Sequence, residues 1–89
     1  MQIERDGNGD FILEPEDIAG RFGLSVADFR RNQTLGHVTS TVERGEGEHA
    51  GTTRLTLRIG NRIWRAILDD AGTVLSEEFH IARGAPVRR

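Results

Sequence analysis

The chain has 89 residues, 36% of them apolar, and a formal net charge of −2. That suffices for one domain, taken as 1–89, with a modest core, but no run approaches the roughly 18 apolar residues of a membrane span. There is no cysteine, lysine or tyrosine, which excludes disulfide scaffolds, thiolate and Schiff-base chemistry, a phosphate-loop lysine and tyrosine acid catalysis.

The start, Met1-Gln2-Ile3-Glu4-Arg5, lacks the basic and apolar regions of a secretory signal, so a cytoplasmic setting is expected. Residues 3–13 read as a hairpin turning at Asp6-Gly7-Asn8-Gly9. Glu14-Pro15-Glu16-Asp17 opens a helix, with proline in the first turn and acids at the positive end of the dipole. Ile18 and Phe22 give it an apolar face, and Gly23 stops it. Ser25 is an N-cap for a second helix running to about Thr34, with Val26, Phe29 and Leu35 on its apolar side. Residues 45–52 form a polar loop, and the tail after about 83 is expected to fray.

Between Gly36 and Ile81, four runs alternate apolar and polar residues, as antiparallel strands do. Gly60-Asn61 reads as a two-residue type II′ turn. It sets Leu57 opposite Trp64, Leu55 opposite Ala66, Arg58 opposite Ile63 and Thr56 opposite Arg65. Extended backward, the ladder pairs Val42 with Leu55, Ser40 with Leu57 and Glu43 with Arg54. Extended forward from Asp69-Asp70-Ala71-Gly72, it pairs Ile67 with Leu75, Arg65 with Glu77 and Ile63 with Phe79. One sheet face then receives the helices. The other mixes Arg54, Arg58 and Arg65 with Ile63, Ile67, Leu75 and Phe79, a surface too apolar for water alone.

Charge is distributed unevenly. All 12 basic residues are arginine; residues 1–28 hold seven acids and two arginines, and 29–68 hold seven arginines and three acids. A basic middle on an acidic chain points to a local anionic partner or a self-neutralising contact. Guanidinium forks at Arg44, Arg54, Arg58 and Arg65, beside Glu46 and Glu48, are suited to grip a carboxylate or phosphate. The competing reading is that Arg54 and Arg65 merely pair with Glu43 and Glu77.

Other constellations are weaker. Asp6, Asn8, Asp10, Glu14 and Asp17 have calcium-loop spacing, but Phe11 stands where glycine is needed and no helix precedes them, so a turn is expected. Ala19, Gly23 and Phe29 match a helix-turn-helix, which would offer Arg30 and Arg31 to DNA as an alternative function; its first helix is too acidic to approach phosphates well. His37, His49 and His80 show no ligand spacing. Ser25, Ser40 and Ser76 lack a nucleophile-elbow context, Asp69-Asp70 suits a turn, and Glu77-Glu78 point to opposite faces. No catalytic residue, metal site or cofactor is assigned.

The segment Glu43-Arg44-Gly45-Glu46-Gly47-Glu48-His49-Ala50-Gly51, together with Glu4-Arg5-Asp6-Gly7-Asn8-Gly9-Asp10-Phe11, resembles a family of short bacterial proteins classed as a domain of unknown function. The likeness covers nearly the whole chain. Aspartate often stands in that family where this chain has His49, so it implies no metal-ligand role there. The resemblance brings a single cytoplasmic domain and no activity. The expected fold is therefore α+β: an N-terminal hairpin, two short helices and a four-stranded antiparallel meander with the helices on one face. The expected function is a non-enzymatic binding or interaction module. It would form a homodimer through Ile63, Ile67, Leu75 and Phe79 and accept an anionic small ligand or protein.

Overall fold

Asp6 shapes the N-terminal hairpin in the computed structural model, which describes residues 2–8 and 10–82. Its carboxylate accepts from the backbone N–H groups of Asn8 (2.8 Å) and Asp10 (3.0 Å), the local bonding that makes aspartate a turn residue. The turn closes β1 (Glu4–Arg5) onto β2 (Phe11–Ile12). The tail beyond 83 lies outside the described residues.

The helical pair occupies the expected span, but only half of its first member is α-helical. α1 spans only Pro15–Ile18, with proline in its first turn, and passes directly into a 3₁₀ turn over Ala19–Phe22. Gly23, at φ 71°, ends it in the left-handed conformation. α2 runs Val26–Thr34, capped by the Ser25 hydroxyl accepting from the Asp28 N–H. Phe29 on this helix is fully buried, but Leu35, expected on the same side, is 59% exposed. Six positions on, Leu35 sits about 120° around the helix from Phe29, outside the buried stripe.

Four strands follow as a meander in the order β3 (Val38–Arg44), β4 (Thr53–Ile59), β5 (Arg62–Leu68), β6 (Val74–Ile81). Gly60 carries the positive φ (62°) of the β4–β5 turn and Asn61 does not, as a type II′ turn requires. Every expected pairing of β3 with β4 and of β4 with β5 is present, including Leu57 with Trp64 and Glu43 with Arg54.

The β5–β6 register differs by one residue from the expected one. Ile67 faces Ser76, not Leu75; Arg65 faces Glu78, not Glu77; Ile63 faces His80, not Phe79. A bulge opposite Ile67 and Leu68 takes up Leu75 as an extra residue. Because side chains alternate with period two, one step of slip moves the rest of β6 to the opposite faces. Glu77, Phe79 and Ile81 join the helix side, while Ser76, Glu78 and His80 turn to the reverse face.

Two long-range contacts decide that register. Trp64, 1% exposed, donates its indole N–H to Glu77 at 2.8 Å, and a buried indole needs such a partner. Phe79 meets Phe22 edge-on at 5.7 Å between ring centroids. The reverse face is consequently less apolar than expected: from β6 it receives serine, glutamate and histidine. Ile63 and Ile67 remain on it, amid Thr39, Thr41, Glu43, Arg54, Thr56, Arg58 and Arg65.

The core lies between the sheet and the helices. Ile18, Ala19, Phe22 and Phe29 pack on Leu55, Leu57, Trp64, Ala66 and Leu68, with Ile3 closing one end. Arg62 reinforces the docking by donating to the Phe22 carbonyl at 2.7 Å, the end of the 3₁₀ turn. Among the described residues no helix is long and apolar enough to cross a membrane.

Candidate functional site

Beneath the 45–52 loop lies a cleft of about 550 Å³, lined by Glu43, Arg44, Gly45, Glu46, His49, Thr52, Arg54 and Ile67. Part of its wall is a cross-strand row: Glu43 pairs with Arg54, and Arg54 with Ile67, so all three side chains share the reverse face. The loop forms the rest. Gly45 N–H donates to the Thr52 carbonyl at 2.9 Å, carrying the β3–β4 ladder one step beyond Arg44 and Thr53. A 3₁₀ turn over Gly47–His49 then folds the loop back, and the Thr52 hydroxyl ties it by donating to the His49 carbonyl at 2.6 Å. Any side chain at position 45 would run into that carbonyl and the Thr52 hydroxyl, which explains the glycine.

The candidate arginines have different roles. Arg54 is held by Glu43, with Nε and Nη2 at 2.8 and 2.7 Å from one carboxylate oxygen. Arg65 donates to Thr56 and to Glu78, both at 3.3 Å. Arg58 folds back to the Gly60 carbonyl at 2.7 Å and sits four residues along β4 from Arg54, about 13 Å away. Arg44 has no side-chain partner among the described residues. Of the six ligand residues expected, the cleft gathers Arg44, Glu46 and Arg54; Glu48, Arg58 and Arg65 do not line it.

Sequence reading missed Thr52, Gly45 and Ile67 as cleft residues, although a signal existed. Carrying the Glu43–Arg54 register two steps further places Gly45 opposite Thr52, and the next strand places Ile67 opposite Arg54.

A second polar cluster lies on the helix side. Glu77 accepts from Arg21 Nε at 2.9 Å and from the Trp64 indole. These two hydrogen bonds, Arg21's first, hold its carboxyl below the ordinary value, and the same pairing raises the Arg21 guanidinium. The cluster locks the 3₁₀ turn to β6, and its groups are satisfied by one another.

Arg30 lies 3.1 Å from Glu16 of α1, and Arg31 3.9 Å from Asp28. Both are thus engaged with carboxylates, on a helix whose predecessor is a single turn. His37 approaches the Asn32 amide oxygen at 3.3 Å, His49 stands in the loop turn and His80 on β6. Among the described residues no three His, Asp or Glu side chains gather to hold a metal.

Compared with known proteins, residues 1–87 match the model of a family of unknown function (DUF6522). No curated protein and no solved structure matches the chain.

Proposed function

The chain belongs to this family of unknown function, and we propose that it is a cytoplasmic, non-enzymatic binding module that seats a small organic anion in the cleft under the 45–52 loop. What carries the reading is Arg44, a residue of the cleft lining at the end of β3, opposite Thr53, whose guanidinium has no side-chain partner among the described residues. An uncommitted fork of this kind is matched to carboxylate or phosphate oxygens. Arg54 adds little free charge, because Glu43 neutralises it. Ile67 offers an apolar surface for the body of the ligand, and Glu46 at the rim disfavours multiply charged anions.

Titration of the ¹⁵N-labelled protein with inorganic phosphate and with a short-chain carboxylate tests this. Amides of residues 44–47, 52 and 54 should shift in a saturable way. Arg44→Gln should abolish the response, and Arg44→Lys, which keeps the charge but not the fork, should weaken it. Absence of any response at millimolar probe ends the reading.

Self-association is part of the same proposal, but its location changes. Ile63 and Ile67 stand among polar neighbours, and Ile63 is only 9% exposed. Phe79, expected beside them, is on the helix side at the margin of the sheet.

A further inference from the structure

We propose that a second copy of this chain docks along the open edge of β6, pairing antiparallel about Phe79 and joining two four-stranded sheets into one. The inference rests on the self-association just described and assigns its surface.

The edge is open in a definable way. Ala82 N–H donates to the Asn61 carbonyl at 2.6 Å, continuing the β5–β6 ladder, in which Arg62 pairs with Ile81 and Ile63 with His80. Inward hydrogen bonding alternates along an antiparallel strand. Ser76, Glu78 and His80 therefore direct their backbone groups to β5, whereas Glu77, Phe79 and Ile81 present theirs outward. Among the described residues nothing takes these outward groups. A row of free N–H and C=O groups is a template for strand addition. Two of its three residues are also exposed and apolar: Phe79 at 42% and Ile81 at 59%. Both lie on the helix side, where Phe79 already meets Phe22.

Polar complementarity, an imidazole facing a carboxylate, selects a second copy and one register. A two-fold axis through the joined sheet pairs residues of like face, so the axis passes through a residue rather than between two. Centred on Glu78, the pairing sets that carboxylate against the partner's Glu78. Centred on His80, it sets imidazole against imidazole. Centred on Phe79, it places Glu78 opposite the partner's His80 on the reverse face, twice by symmetry. On the helix side the same register sets Phe79 against the partner's Phe79, with a Phe22 flanking each ring. The other edge, β3, offers no such match: centred on Thr41 it opposes Glu43 to the partner's Thr39 and Arg44 to the partner's Val38.

Sedimentation equilibrium on the full chain tests the proposal with two variants. Ile81→Pro removes an outward N–H while leaving the bonds to β5, and His80→Glu puts carboxylate against carboxylate across the axis. The wild-type chain should dimerise at high micromolar concentration, with the Phe79 and Ile81 amides exchanging more slowly as concentration rises. Each variant should weaken the dimer by at least about tenfold with circular dichroism unchanged; if Ile81→Pro fails to fold, His80→Glu carries the test. A dimer unaffected by the variants, with those amides still in fast exchange, overturns the edge assignment and leaves self-association standing. A wild-type monomer at high micromolar concentration overturns both.

Discussion

Trp64 concentrates more of the fold's specificity than any other residue. It is the largest fully buried side chain, and its indole N–H has one acceptor, Glu77. Glu77→Ala should cost about 1–3 kcal/mol, the usual consequence of stranding a buried donor. Glu77→Gln keeps an oxygen for the indole and should recover most of that. Thermal unfolding of the two variants checks the order. The charge contributes separately. The Glu77 carboxyl is held below its ordinary value of 4.5, so its stabilisation is complete above that pH and is lost as pH falls through the lower folded value. With side-chain exposures of 35% and 36%, the Arg21–Glu77 pair is screened by solvent and its share stays small. The acid limb of the wild-type stability curve should accordingly be steeper than that of Glu77→Gln, and added salt should narrow the gap. Gly72, like Gly45, has little latitude. Its φ is 84°, and a side chain there would strike the Ile3 carbonyl, whose residue donates its own N–H to the Gly72 carbonyl at 2.8 Å. Gly72→Ala should cost about 1–3 kcal/mol, read as a drop in melting temperature.

Among the elements, β6 shows where sequence pattern stops being informative. The registers of β3, β4 and β5 could be read directly, because Gly60-Asn61 fixes the β4–β5 turn and β3 and β4 each have a single apolar parity. β6 has two parities of similar merit. Val74 and Leu75 are both apolar, and Glu77 and Glu78 are both acids, so a slip of one residue still gives Arg65 a carboxylate. The deciding contacts, Trp64 with Glu77 and Phe22 with Phe79, link segments 13 and 57 positions apart. No local pattern records them. The candidate cleft was half legible for a related reason: Arg44, Glu46 and Arg54 stand out by residue type, whereas Thr52 and Ile67 enter it only through register. Substitutions separate the two β6 registers. Phe79→Ala removes a ring packed on Phe22 and should cost about 1–2 kcal/mol, less than a fully buried phenylalanine. Leu75→Ala, at an exposed bulge position, should stay within about 0.5 kcal/mol. Equal effects from the two would favour the unslipped register.

At the scale of the whole molecule, the sheet extends beyond what covers it. The 3₁₀ turn and α2 cover β4, β5 and part of β6, while Val42 on β3 is 50% exposed although its partner Leu55 is buried at 1%. The N-terminal segment completes the core from the other end. Gln2 bridges Thr73, and Ile3, 4% exposed, joins the cluster containing Ile18 and Leu68. Such a small core cannot spare a member, since net stability is a narrow difference between large terms. Ile3→Ala should therefore cost about 2–4 kcal/mol and act on the whole domain rather than fray the first residues. Amide hydrogen exchange distinguishes the two outcomes. A global effect lowers protection in β4 and β5 by the same free energy that denaturant unfolding reports. If Ile3→Ala leaves those central amides as protected as before, the hairpin is an appendage, and the cooperative unit begins at Pro15.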